Sequence, residues 1–459
     1  MSMERSTKLS STNEFRPIHY LGSKLRILDA IEQAIDSVNP ARGRVCDLFS
    51  GSGTVSNYLG YTRPVTAVDI QEYSRVLCSA VLMPIKFQFP ASYHIEQIIT
   101  SKEYFTLQKT FAPLLTLERE AMQNATYGQI DALYDTIENG SILIAKESLL
   151  PTSKDLSSAM SETLALLKCM ELEDSKMTMI TRYFGGLYFS YEQAVCIDAS
   201  LEYIANYECQ DMTIQNFMLA ALISATSEIV NTVGKQFAQP LQVRDRNGNL
   251  KRNLLKKTLK DRSISFFESF EYWLDSYATL RQTSFDTHEA LRMDYRQALE
   301  HLKQSDVAVV YADPPYTRYH YSRYYHVLET ICYRDTPEIS TTFSGGTQLS
   351  RGMYRKDRHQ SPFCIRSKAD GAFDDLFAGV AKLGVPFILS YSPFAESSLG
   401  TPRMQTIDQL IERAHKYYGE VKVVSPGHFA HSKLNSVEKN FAAEQEAELL
   451  IICQNIKGR

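Results

Sequence analysis

Three apolar runs set the first order of the chain. Val45-Cys46-Asp47-Leu48-Phe49, Val65-Thr66-Ala67-Val68-Asp69-Ile70 and Val307-Ala308-Val309-Val310-Tyr311-Ala312 are rich in β-branched residues and almost continuously hydrophobic, the pattern of strands buried on both faces of a parallel sheet. Before them, Leu25, Ile27, Leu28, Ile31 and Ile35 recur at helical spacing and stop at Asn39-Pro40. Between the first two, Ser50-Gly51-Ser52-Gly53-Thr54 leads into a helical stretch through Leu59. This is β-α-β grammar, and in open parallel sheets ligands sit at the carboxyl ends of the strands.

The alternation then stops. From Gln71 to Leu280 the pattern is mostly helical, with the apolar helix Phe217 to Val230 and the acidic segment Glu171-Leu172-Glu173-Asp174, and no Gly/Pro/Ser-rich linker intervenes. The stretch is read as an insertion, so that 15–75 and 286–459 form two parts of one domain around 76–285, and the strands flanking it should be neighbours. Alternation resumes at Leu291-Arg292-Met293-Asp294-Tyr295, passes through a helix from Arg296 to Lys303, and reaches the run that ends at Ala312. Later strands are expected at Phe387-Ile388-Leu389-Ser390-Tyr391, Val421-Lys422-Val423-Val424 and Glu448-Leu449-Leu450-Ile451-Ile452-Cys453.

Composition adds limits to this outline. At 459 residues with 44% hydrophobic content the chain can bury a large core, enough for two or three domains. Residues 1–20 are polar and carry Glu4, Arg5, Lys8, Glu14 and Arg16 without a signal-peptide or membrane-span pattern, so a cytoplasmic location is expected. Eight cysteines without a CxxC pair, and no histidines at metal spacing, read as reduced thiols and no metal site. A formal charge of −4 argues against nucleic acid coating the whole surface, and any basic face must be local.

Candidate chemistry concentrates at Asp313-Pro314-Pro315-Tyr316, where a buried strand stops at two prolines. Proline has no N–H, so the last backbone groups of the strand are free to face a ligand. An exocyclic amino group on an aromatic base is a poor nucleophile, because its lone pair is delocalised into the ring. The Asp313 carboxylate and the Pro314 carbonyl supply two acceptors that would localise it, and Tyr316 offers a ring for stacking. Alone, the tetrapeptide fits a turn capping a core strand equally well. Upstream, Asp47-Leu48-Phe49-Ser50-Gly51-Ser52-Gly53 puts glycines where backbone passes close to a ligand, and Asp69 ends the next strand where a ribose-binding carboxylate would stand. A tight strand-to-helix turn explains the two glycines nearly as well.

Together with Tyr20-Leu21-Gly22-Ser23-Lys24, Met293-Asp294-Tyr295-Arg296 and Glu448-Leu449-Leu450, these motifs resemble in content and order the D12-class adenine-specific DNA methyltransferases. The resemblance implies an α/β fold, a Rossmann-like class I methyltransferase sheet with a large helical insertion, which would be the target-recognition region. It implies S-adenosylmethionine as cofactor and double-stranded DNA as partner, with methyl transfer to N6 of a flipped adenine. By it, Gly22 and Lys24 hold the methionine end, with Tyr20 and Ser23 beside them. Phe49, Gly51 and Gly53 line the cofactor along with Asp47, Asp69 and Ile70 take the ribose side, and Asp294 and Tyr295 approach the adenine of the cofactor. Asp313, Pro314, Pro315 and Tyr316 belong to the target base. The insertion is larger than in compact relatives.

Nucleic-acid contact is expected from Lys251, Arg252 and Lys256 in one basic segment, from Arg355 in another that also holds Arg358, and from Arg318 and Arg323 in the run Thr317 to Tyr325. A packed turn is expected at Tyr183-Phe184-Gly185-Gly186-Leu187-Tyr188, and His428, His431 and Lys433 fall in a loop-like stretch. Two other functions fit part of the pattern: methylation of an RNA base or of cytosine N4, and a catalytically silent DNA-binding module of the same fold. The recognition sequence is not written in these motifs.

Overall fold

A computed structural model describes residues 15–85, 89–147, 153–207, 212–280, 285, 287–342, 348–392, 403–426 and 448–458. His428, His431 and Lys433 lie outside the described residues.

Seven strands form one sheet: β1 Arg44–Leu48, β2 Val65–Asp69, β3 Glu289–Arg292, β4 Val307–Ala312, β5 Phe387–Tyr391, β6 Tyr418–Val424 and β7 Leu449–Ile456, in the order β3-β2-β1-β4-β5-β7-β6. The first five run parallel, and β7 is antiparallel to both β5 and β6. Side chains alternate across the sheet. Val45, Val65, Ala67, Val309, Tyr311 and Ile388 face one core, whereas Cys46, Leu48, Val68, Val310, Ala312 and Leu389 face the other. Both faces are therefore covered, which explains the continuous apolar runs. The edge strands are less buried, and Glu420 and Lys422 on β6 break the apolar pattern where an exposed edge would otherwise invite pairing.

Register places the carboxyl ends level with one another. Leu48 at the end of β1 pairs with Val68 on one side and with Ala312 on the other. Asp69 and Asp313, one residue further along, therefore emerge at the same edge on either side of β1. The order of the strands reverses there, which is where open α/β sheets form a crevice.

The chain between β2 and β3 is helical, yet the two strands pair directly, Thr66 with Glu289 through Asp69 with Arg292. The insertion is not an appendage. Its helix Met212–Ile229, apolar nearly all round, packs on α3 (Glu72–Leu82), where Asn216 accepts from Arg75 at 3.0 Å and donates to Ser79 at 3.1 Å. Phe217, Leu222 and Ile223 of that helix belong to the same core as Val45 and Val65. Tyr183, Phe184 and Tyr188 are buried in it as well, as a packed turn.

One boundary differs from expectation. Alternation suggested a strand through Tyr295, but β3 ends at Arg292 and Tyr295 opens the helix Tyr295–His301. The cause is local: the Asp294 carboxylate accepts from the Arg296 amide at 3.0 Å while Gln297 reaches back to the Asp294 amide, a capping box that starts the helix there.

A buried carboxylate couples the two sides of the crevice. Glu329, on the helix His326–Tyr333 downstream of β4, accepts from the backbone amides of Glu72 and Tyr73 at 3.0 and 3.1 Å and so caps α3. Burial pushes its carboxyl up to about 7 against the pull of those donors. A carboxyl whose pKa rises on folding binds more protons folded than unfolded, so its contribution falls as pH rises from its ordinary value toward the folded one. Relative to Glu329→Gln, the wild type should lose stability between about pH 4.5 and about pH 7 and hold steady above. Urea unfolding of both proteins at several pH values checks this, and parallel curves would exclude it.

Candidate active site

The turn after β1 passes close to the N-terminal segment. Phe49 adopts a left-handed backbone, φ 71°, and its amide and that of Ser50 both donate to the Val68 carbonyl, at 2.9 and 3.0 Å. A non-glycine residue held there costs about 1–2 kcal/mol, which surrounding packing must offset. Gly51 has φ 54°, and a Cβ at that position would lie 2.6 Å from the Tyr20 hydroxyl oxygen and 2.7 Å from the ring carbon bearing it. Only glycine fits. Gly53, φ 75°, then caps α2, Thr54–Gly60.

Asp69 is fixed by this turn. The Gly51 amide donates to one of its oxygens at 3.0 Å and the Gln71 amide to the other at 2.9 Å. Burial raises its pKa, and the amides work in the opposite direction. The Ser74 hydroxyl and the Ile70 amide also lower it. Asp47 lies beneath the turn, buried, where it accepts from the Ser56 hydroxyl at 2.5 Å, and burial pushes its carboxyl up to about 7. It supports the turn from below and does not line the cleft.

On the other side of β1, Lys24 meets Asp313. The ammonium is 2.7 Å from the Asp313 carboxylate and 3.6 Å from that of Glu448, with Lys24 only 6% exposed. Burial works against its charge, but Asp313 and Glu448 outweigh burial and hold its pKa above the ordinary lysine value. Glu448 is buried and accepts from Ser390 at 2.8 Å. The segment carrying Lys24 is pinned nearby, where Tyr20 stacks on Tyr325 with centroids 5.1 Å apart and the Leu21 amide donates to the Tyr325 hydroxyl at 2.8 Å. Gly22, at φ 77°, sits against the Tyr321 hydroxyl, and the Ser23 hydroxyl oxygen is buried without a hydrogen-bond partner.

These pieces surround one cleft. Tyr20, Lys24, Phe49, Asp69, Ile70, Asp294, Tyr295 and all of Asp313 to Tyr316 line it; Gly22, Ser23, Gly51 and Gly53 are not among the lining residues. The Tyr316 ring has the Arg403 guanidinium 4.9 Å from its centroid and Tyr391 at 5.2 Å. Phe49 and Tyr295 form an aromatic corner with Phe363, at 5.3 and 5.1 Å.

The expected cations divide. Arg318 and Arg323 are exposed beside the cleft-lining His320 and Ser322. Arg252 and Lys256 are exposed and Lys251 half-buried, on a segment whose Leu250, Leu254 and Leu255 pack on a satellite core around Tyr134, and none of the three lines the cleft. Arg355 is a correction. It is 4% exposed and paired with Asp335 at 2.6 Å and Asp357 at 3.1 Å, so its charge is already met inside the protein.

One part of the wall went unread in the sequence. His359, Ser361, Pro362 and Cys364 also line the cleft. The segment 351–368 had been read for its charge, and its one structural signal was Ser361-Pro362-Phe363, a proline-led turn ahead of the helix Arg366–Leu383.

Residues 20–152 match the family model described as D12 class N6 adenine-specific DNA methyltransferase. The chain is 28% identical over 151 residues to Modification methylase LlaI of Lactococcus lactis subsp. lactis, covering 32% of this chain and 21% of that protein. It is 26% identical over 235 residues to Type II methyltransferase M.NlaIII of Neisseria lactamica, covering 50% and 57%. It thus spans a fifth of the first relative and just over half of the second. No solved structure matches it. The motif that opens the N-terminal helix, the glycine turn and the β2 carboxylate all fall in the matched residues.

Proposed function

We propose that this protein transfers a methyl group from S-adenosylmethionine to N6 of an adenine extruded from double-stranded DNA at a specific site. The observation that carries the reading is that Asp69 and Asp313 emerge level on either side of β1 into a single cleft. Asp69 with its glycine turn suits a nucleoside, and Asp313 before two prolines suits an amino group.

The residues present fit the cofactor. The Asp69 carboxylate lines the cleft where ribose hydroxyls would reach it, the Gly51 turn that holds it has no room for a Cβ against Tyr20, and the Ser23 hydroxyl is an unpartnered buried group beside Lys24. When bound, S-adenosylmethionine supplies an electrophilic methyl on a sulfonium.

The chain's own residues prepare the acceptor. The Asp313 carboxylate and the Pro314 carbonyl accept the two N6 hydrogens, which localises the nitrogen lone pair and aims it. Lys24 pairs with Asp313 at 2.7 Å and fixes its carboxylate, and Glu448, 3.6 Å from the same ammonium, keeps Lys24 from swinging away. Tyr316 walls the base. The amino proton leaves a nitrogen made cationic by alkylation, so a weak acceptor suffices. The insertion, residues 76–285, serves as the target-recognition region, and the exposed Arg252, Lys256 and Arg318 contribute phosphate contacts.

Asp313→Ala should lower tritiated methyl transfer to unmethylated duplex DNA by about 10³-fold while S-adenosylmethionine binding, read by calorimetry, persists. Label that survives the substitution, or that appears only on RNA or protein, would sink the reading. Lys24→Met should cost about 3 kcal/mol of stability in urea, because it takes the ammonium away from the half-buried Asp313 and the buried Glu448. Adding Glu448→Gln should restore part of that stability but not the rate; full recovery of turnover would remove Lys24 from the mechanism.

A further inference from the structure

Beside the cleft two arginines share one ring. The guanidinium carbons of Arg323 and Arg358 lie 4.7 and 5.0 Å from the centroid of Tyr354. The Tyr354 hydroxyl accepts from Arg323 at 3.0 Å and donates to the Ala238 carbonyl, and Arg323 also donates to that carbonyl at 3.3 Å. The ring is thereby fixed and one guanidinium with it.

Among the described residues neither charge is met by a carboxylate. Elsewhere the protein pairs its arginines closely, as in Arg355 with Asp335, Arg334 with Glu202 and Arg413 with Asp370. Among the described residues no carboxylate comes within 4.0 Å of Arg323 or Arg358. The nearest candidate in sequence, Asp357, turns its carboxylate to Arg355 at 3.1 Å. One Arg358 nitrogen, Nη1, is buried without a hydrogen-bond partner. Burial and the charge of Arg323 both work against Arg358, and the same two guanidiniums, after burial, depress the neighbouring His320 imidazole. Two like charges held together, partly desolvated and uncompensated, are unfavourable unless an anion joins them.

Their place names the anion. Arg323 follows Ser322 and Arg358 precedes His359, both of which line the cleft, and the Ser322 hydroxyl donates to the His359 carbonyl at 2.6 Å. Guanidinium forks match the oxygens of a phosphate. We propose that Arg323 and Arg358, braced on Tyr354, clamp one backbone phosphodiester of the DNA strand whose base enters the cleft. The inference rests on the reading of that cleft as a base pocket, and deepens it: the strand is gripped within one or two residues of the pocket wall.

The test is binding of a fluorescein-labelled 20-base-pair duplex, followed by anisotropy over a range of salt concentrations. Each neutralised phosphate contributes about 0.9 to the slope of log affinity against log salt. Arg323→Ala and Arg358→Ala should each reduce that slope by about 1, and the double variant should fall no further than about 1 because a single phosphate is shared. Arg358→Lys should restore the slope. Arg323 is exposed, so its replacement leaves the fold intact, and unchanged S-adenosylmethionine binding by calorimetry verifies each variant. Wild-type slopes in both alanine variants, with DNA binding and methyl transfer intact, would overturn the clamp and leave the methyltransferase reading standing. A wild-type protein that binds no duplex overturns both.

Discussion

The buried ammonium of Lys24 is the contact on which the site is built. It draws together the entry to the first helix, the end of β4 and the start of β7, three segments far apart in sequence, through carboxylates at 2.7 and 3.6 Å. In a low-dielectric setting each of these charges depends on the others, because an isolated buried ion would neutralise itself instead. The arrangement fixes the Asp313 carboxylate beside the cleft by an ion pair at 2.7 Å.

The sheet supplies the other constraint. Because Leu48 pairs with Val68 and with Ala312, the residues after β2 and β4 cannot move relative to each other without shifting the register of the sheet, which would turn every side chain of a strand to the wrong face. A long insertion between β2 and β3 is compatible with this, since β2 and β3 still pair and the apolar helix Met212–Ile229 extends the existing core and does not begin a new one. Glu329 adds a tie across the crevice, from the helix after β4 to the first turn of α3.

Much of this was legible in the chain. β4 and β5 fall where their apolar runs do, because strands buried on both faces have no polar positions to blur their ends. Asp313 was marked by two prolines and Asp69 by its distance from a glycine turn, both backbone effects that sequence displays directly. What failed turned on partners and caps that apolar periodicity does not display. Arg355 looked like a phosphate ligand because Asp335, which neutralises it, is separated from it in sequence and its approach follows from the fold. Tyr295 looked like a strand end because the Asp294 cap competes with alternation over a few residues. The wall from His359 to Cys364 has no periodicity to read, since a loop is positioned by what it packs on.

The same distinction separates structural from functional charge. Arg63, Arg262 and Arg413 are buried or nearly so, and each meets a carboxylate. Their charge is spent on holding segments together. Arg323 and Arg358 are held just as firmly, by Tyr354 and the Ala238 carbonyl, but by neutral groups that fix position without cancelling charge. Aromatic rings and carbonyls are the partners that leave a guanidinium free to attract an anion. At the floor of the cleft, Lys24 is fixed by two carboxylates and serves them; at its rim, two arginines are fixed by a ring and serve something from outside. Which side of that division a cation falls on is set by what braces it, and that is a property of the fold that composition does not carry.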